Sequence, residues 1–251
     1  MMRDTAFDIP VHYDRHFEVI RAATPRLVRE AYRLRYQVYC IENPFEDADH
    51  HAPACESDDD DDRSIHTLLL HRRTGEVAGT SRVILPGPRF RPLPMATLLK
   101  GSDRRHFESF PLAHTAEMSR FAVSKQFRQR RGEERFADLG LSDSLVIENE
   151  RRLMPFMSLG LIRGLFGICV EHGITHLAAV MEPSLIRILD RLGLRFVPIG
   201  ATVMHRGLRQ PCYAVLDELI RHSREIDSIV WQYAMEPMLR QHSHKRTYAA
   251  A

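Results

Sequence analysis

The stretch 153–170 is the most apolar of the chain, and its neighbours constrain the fold more than any other feature. Its length is close to the ~18–20 residues that span a bilayer. It also carries Pro155, Ser158, Arg163 and three glycines, which suits a helix buried in protein rather than in lipid. An alternating segment, 115–124 (TAEMSRFAVS), lies upstream, and a continuous apolar run, 174–181 (ITHLAAVM), follows directly. The first reads as a strand and the second as a buried strand. Pro183 then opens another helix through Leu192, which Gly193 stops. This crossover pattern predicts a central sheet with both faces covered by helices.

The rest of the chain fits around that unit. Residues 16–21 (HFEVIR) read as a short strand. Thr24 is a candidate N-cap with Pro25 at the first helical position, and apolar residues at helical spacing carry a helix to about 39–42. Residues 43–63 form a polar loop with the acidic run 56–62. Residues 65–71 and 76–85 make a hairpin across Arg73-Thr74-Gly75. Four prolines within 86–94 require a loop, and an irregular excursion is expected over about 86–114. Short closing strands are expected at 195–197, 201–205 and 212–216, then a C-terminal helix over about 217–241. No linker divides residues 1–251, so the expectation is a single α/β (α+β) domain: a mixed sheet flanked by helices.

Composition excludes several classes. Hydrophobic residues at 44% and charged residues at 27% describe an ordinary globular chain. A net charge of +2 gives no general case for nucleic-acid binding. The four cysteines form no CxxC pair, and the 14 histidines show no metal-ligand spacing, so no metal site is expected. The first twenty residues lack a signal-peptide core. The expected location is cytoplasmic, without stable membrane insertion.

Four segments, in order, carry a resemblance: 33–46 (RLRYQVYCIENPFE), the acidic loop followed by Ser64-Ile65-His66, 79–86 (GTSRVILP) and 117–124 (EMSRFAVS). Together they resemble acyl-homoserine-lactone synthases. They are more similar still to N-acyl amino acid synthases and exosortase-system-associated acyltransferases. These share the GCN5-related N-acyltransferase (GNAT) fold. Residues 193–200 and 205–213 also resemble the last subgroup, so the resemblance covers roughly 16–216. Arg35 and Tyr39 match an R-x-x-V-[FY] motif on the first helix. Glu56, Asp58 and Asp61 match E-x-D-x-x-D, although the run of five aspartates leaves neighbouring registers open. Arg82 matches the strand-end arginine, and Glu117 and Arg120 match E-x-S-R. The tryptophan common after the first motif of lactone synthases is missing, and the one Trp here is Trp231. That departure favours a sibling acyltransferase.

The resemblance implies transfer of a fatty acyl group from a thioester to an amine, with acyl-carrier protein or coenzyme A as the donor's carrier and no tightly bound cofactor. Such chemistry needs a base for the ammonium and a donor for the oxyanion. Glu117, on an apolar strand, is the candidate base, with a raised pKa from burial, and Arg120 is the second candidate catalytic residue, expected to orient that base or the thioester carbonyl. Its structural alternative is an ion pair with arginine. Regular alternation puts Glu117, Ser119 and Phe121 on one face and Arg120 on the other, and a bulge would reunite Glu117 with Arg120. Arg35, Tyr39, Asp58, Asp61, Arg82, Ser119 and Phe121 are the expected substrate-binding residues, the charged ones ordering the loop that shapes the pocket, against the plain alternative of a solvated acidic loop. In coenzyme-A-dependent relatives a loop after this strand cradles the pyrophosphate with backbone N–H groups. Val123, Arg128, Arg131 and Gly132 occupy that place, but Glu133 and Glu134 follow and would repel a pyrophosphate. A carrier-protein donor steered by the basic segment is therefore favoured. The apolar helix and the strand after it supply walls for an acyl chain. Ser119 and Cys40 lie in no nucleophile elbow, which disfavours an acyl-enzyme. The rivals are lactone synthesis from S-adenosylmethionine and a non-catalytic module that only binds acyl thioesters or their carrier.

Overall fold

The computed structural model describes residues 9–51, 53–88, 91–128, 156–205, 207–226 and 228–240. Its elements are α1 (Ile9–His16), β1 (Phe17–Arg21), α2 (Pro25–Tyr36), β2 (Ser64–His71), β3 (Val77–Ile84), α3 (Pro94–Leu98), α4 (Gly101–Glu108), β4 (Thr115–Val123) and α5 (Lys125–Arg128). After these come α6 (Met157–Glu171), β5 (His176–Met181), α7 (Pro183–Arg191), β6 (Val197–Pro198), β7 (Val203–Met204), β8 (Leu208–Val215) and α8 (Leu216–Glu225). The strands form one sheet in the order β1-β2-β3-β4-β5-β8-β6, with β7 paired to β8. All pairs are antiparallel except β4 with β5, the pair that the crossover through α6 makes parallel. The result is a mixed sheet flanked by helices.

Helix α6 lies across β1 to β4. Its glycines allow this close seat: a Cβ on Gly160 would stand 2.7 Å from the Tyr13 hydroxyl, and one on Gly164 would collide with Thr67. Leu161, Leu165, Phe166 and Ile168 then join Leu69, Val83, Ala116 and Leu177 in the largest apolar cluster. On the other sheet face, α2 packs Ala31 near Leu68, and Leu34 and Val38 near Ala122. Thr24 caps α2, its hydroxyl accepting the Leu27 N–H at 3.3 Å, with Pro25 in the first turn. Helix α2 runs on into a π turn, Gln37–Glu42. Gly193 ends α7 with φ 83°, a backbone region that glycine enters without a Cβ clash.

Three expectations are corrected. The excursion over 86–114 is largely helical: Pro94 starts α3, and Leu93, Met95, Ala96, Leu99 and Phe107 form a second small core on Ile84 and Ala178. Five apolar side chains spread over fifteen residues give too little periodicity to read from sequence. The C-terminal helix is two pieces, because α8 ends at Glu225 and a fresh start follows in which Ser228 Oγ accepts the Trp231 N–H at 3.1 Å. Helix α1 was not anticipated. Its Tyr13 is fully buried and donates to the Met157 carbonyl at 2.8 Å.

Candidate active site

Strands β4 and β5 pair only from Thr115–Met118 to His176–Ala179. Beyond that, β4 continues along β3 to Val123 and β5 continues along β8 to Met181. The sheet therefore splits between β4 and β5. At the split β4 is irregular: Thr80 faces Ala122 and Arg82 faces Ser119, so β4 carries one residue too many. Arg120 absorbs it with φ 50°, a strained value for a non-glycine residue. This is the bulge that regular alternation lacked. It corrects the predicted faces: Arg120 joins the side of Glu117 and Ser119, while Phe121 turns outward and is 37% exposed.

Arg120 is held in that conformation by charge. Its Nη2 donates to Glu56 Oε1 and to Asp58 Oδ2, each at 2.9 Å, and approaches Glu46 at 3.5 Å. Arg35 donates through Nε to Glu56 and through Nη1 to Asp61 at 2.7 Å. Arg82 bonds Asp58 at 2.5 Å, Asp61 at 2.8 Å and the Ser119 hydroxyl oxygen at 2.9 Å. Three arginines thus interlock with three carboxylates between α2, the acidic loop and β3–β4. Arg35 and Glu56 are wholly buried. Paired arginines hold the Glu56 carboxyl down to about 2 against a strong opposing push from burial. Asp58 and Asp61 are lowered for the same reason against the same push.

The acidic register resolves locally. Asp58 is the N-cap of a short 3-10 turn, Asp59–Arg63. Its Oδ1 accepts the Asp60 N–H at 3.0 Å, and Asp61 Oδ2 accepts the Asp58 N–H at 2.8 Å. This reciprocal capping box spaces Asp58 and Asp61 three apart, a spacing that Asp59 and Asp62 share, so the run itself does not choose the register.

Glu117 lies outside this cluster. It is 4% exposed, beside Ile84 on β3 and Ala178 on β5, under the small core of α3. Its Oε2 accepts the Met95 N–H at 2.8 Å, one of the amides that the first turn of α3 leaves without a helical partner. Burial raises its carboxyl to about 7, with the Met95 bond pulling weakly the other way. Sequence reasoning did not foresee Met95, because a backbone N–H leaves no residue-type signal. It also missed Glu46.

Tyr39 sits in the π turn, its hydroxyl donating to the Phe121 carbonyl at 3.2 Å and its ring 5.8 Å from the Arg120 guanidinium carbon. Val123 ends β4 and Arg128 ends α5, whereas Arg131 and Gly132 lie outside the described residues. A cavity of about 440 Å³ lies between β1 and α6, lined by Asp14, Glu18, Arg72, Arg163, Gly167 and Met238. It does not reach Glu117, and its charged walls do not suit an acyl chain. Among the described residues no group of His, Cys, Asp and Glu could hold a metal ion, and no helix is long and apolar enough to cross a membrane.

Residues 34–137 match the acetyltransferase (GNAT) domain model. Among solved structures, the AHL synthase LasI superposes with a TM-score of 0.53 at 20% identity, covering 80% of this chain and 89% of its own. FeeM, an N-acyl amino acid synthase from uncultured soil microbes, gives 0.53 at 15% identity over 86% and 99%. MesI, a CoA-dependent acyl-homoserine lactone synthase, gives 0.52 at 18% identity over 84% and 94%. At these identities the likeness is one of fold. No curated protein matches the chain in sequence.

Proposed function

We propose that this protein is an N-acyltransferase that moves a long-chain fatty acyl group from a carrier-protein or coenzyme A thioester to the amine of an amino acid or a similar small molecule. The observation that carries the reading is the position of Glu117: a desolvated carboxyl, held near pKa 7, at the point where β4 and β5 part. A base poised near the working pH takes up a proton efficiently and returns it. Glu117 accepts a proton from the incoming ammonium, directly or through one water. The freed amine attacks the thioester carbon. Backbone N–H groups of β4 past Met118, which have no partner strand on the β5 side, receive the oxyanion. The C–S bond then breaks, the amide is released, and the thiolate leaves with a proton. The net products are amide, free thiol and one proton.

The charged cluster acts as scaffold in this reading. Arg120, fixed by Glu56 and Asp58, keeps the bulge in place, and the bulge keeps β4 apart from β5. Arg35, Tyr39, Asp58, Asp61, Arg82 and Ser119 shape the amine side of the site. The test supplies long-chain acyl thioesters with mixed amino acids, or with S-adenosylmethionine, and follows thiol release and products by mass spectrometry. N-acyl amino acids support the reading. Lactone from S-adenosylmethionine supports the synthase rival. Thioester binding without thiol release supports a non-catalytic module.

A further inference from the structure

Carboxylates fix the side chain of Arg120, whereas Tyr39 holds the backbone of the bulge. Its ring faces the Arg120 guanidinium carbon at 5.8 Å, and its hydroxyl donates to the Phe121 carbonyl at 3.2 Å. One half-buried side chain thus touches both residues of the irregular step. Tyr39 is itself anchored. Its carbonyl accepts the Phe45 and Glu46 N–H groups at 2.9 and 3.1 Å. Glu42, the last residue of the π turn, accepts the Lys125 N–H at 2.9 Å and so ties the turn to the end of β4. Burial raises the Tyr39 phenol above its ordinary pKa of 10, and the hydroxyl stays a donor.

Past the bulge Ala122 stands level with Thr80, and the Ser124 N–H bonds the Ala78 carbonyl at 3.0 Å. The backbone groups of Ala122 and Ser124 therefore turn to β3. Alternation turns those of Phe121 to the other side, where β5 has already parted from β4. In an extended strand the N–H and C=O of one residue point the same way, so Phe121 presents one donor and one acceptor to the split. The donor favours a developing oxyanion, and a bare acceptor beside it opposes one. Building on the acyl-transfer reading above, we propose that Tyr39 is a positioning residue for the oxyanion: its hydroxyl takes the Phe121 carbonyl and leaves the Phe121 N–H for the substrate. That oxyanion is the thioester oxygen once the amine nitrogen has bonded to the carbonyl carbon and before the C–S bond breaks. The ammonium proton goes to Glu117, and Tyr39 exchanges none.

The experiment compares the full chain with Tyr39→Phe, which loses only the hydroxyl. Turnover is followed as thiol release from a long-chain acyl thioester with amine present. Binding is measured for two inert analogues on the same carrier: a ketone, in which a methylene replaces the sulfur and the carbonyl remains, and a thioether, which has no carbonyl. Tyr39→Phe should lower kcat about 10–100-fold while the donor KM stays within about twofold. It should weaken the ketone about fivefold and leave the thioether within about twofold. Amide hydrogen exchange over residues 119–124 should quicken in the variant. An unchanged kcat, or a ketone and thioether weakened alike, would overturn the assignment and leave the acyl-transfer reading intact; the second result would make Tyr39 a plain substrate contact. If the wild type releases no thiol from any thioester, the acyl-transfer reading and the assignment fall together.

Discussion

Two buried glutamates on neighbouring elements have opposite electrostatics. Glu56 is 0% exposed and Glu117 4% exposed, so burial pushes both carboxyls up. Glu56 nevertheless stays near 2, because Arg35 and Arg120 both bond to it. Glu117 has one backbone N–H and rises to about 7. Partner charge decides the outcome once burial is equal. The acidic loop is a charge-locked frame that stays ionised at any physiological pH. The packed region where α3 covers β4 and β5 holds the group that can change its proton near neutrality. The contrast separates structure from chemistry within one face of one sheet.

The largest expected effect tests the chemical side of that contrast. Glu117→Gln keeps the shape and removes the proposed base. Turnover with thioester and amine should fall about 10²–10⁴-fold. The KM for the donor should stay within about twofold, since among the described residues the side chain bonds to Met95 alone. Rate loss through a large rise in KM would instead mark Glu117 as the group that holds α3 in place. Wild-type turnover should rise with pH through about 7 as the carboxyl deprotonates.

The scaffold side should fail in another way. Glu56→Gln leaves Arg35 and Arg120 beside a neutral amide, and Arg35→Met takes the most buried partner from Glu56 and Asp61, leaving them Arg120 and Arg82. Breaking one partner of a buried pair costs about 3–5 kcal/mol, read as a lower denaturant midpoint. Activity should be lost with the fold and return where the fold returns. Because the folded pKa of Glu56 is depressed, its contribution is complete above its ordinary value of 4.5 and disappears as pH falls through about 2.

Glu117 should show the reverse sign. Its folded pKa is raised, so its contribution to stability is complete below 4.5 and is lost as pH rises through about 7. Glu117→Gln, neutral throughout, should match the wild type near pH 4.5 and exceed it by about 3 kcal/mol at pH 8. Melting curves across that range check this. A variant that loses turnover while gaining stability above pH 7 would sharpen the contrast with Glu56.

The regular frame was legible because it rests on period and caps. The hairpin of β2 and β3, the N-cap at Thr24, the strands β4 and β5 and the buried α6 each follow from side-chain pattern within their own segment. The bulge was not, since Arg120 looks like any alternating residue until Glu56, Asp58 and Glu46 pull it round from a loop more than sixty residues away. The same holds for Glu42 on Lys125 and Met95 on Glu117: these are long-range bonds, two of them to backbone N–H groups, and residue type does not encode them. The aspartate register was not readable from the capping-box spacing, which Asp58–Asp61 and Asp59–Asp62 share; the contacts from Arg35, Arg82 and Arg120 choose between them.

Asp58 is where frame and surface meet, and it should show the smallest of these effects. Its side chain is 31% exposed, unlike that of Glu56 at 1%. It bonds Arg82 and Arg120, and it caps the 3-10 turn. Asp58→Asn keeps an oxygen for the cap but drops the charge. Arg82 still has Asp61, and Arg120 still has Glu56, so neither guanidinium is stranded. The cost should therefore be about 1 kcal/mol, near that of a surface pair, rather than the larger figure for a buried one. A loss as large as that of Glu56→Gln would mean that the cluster acts as one cooperative unit, and the line drawn here between a buried frame and its rim would have to be moved outward.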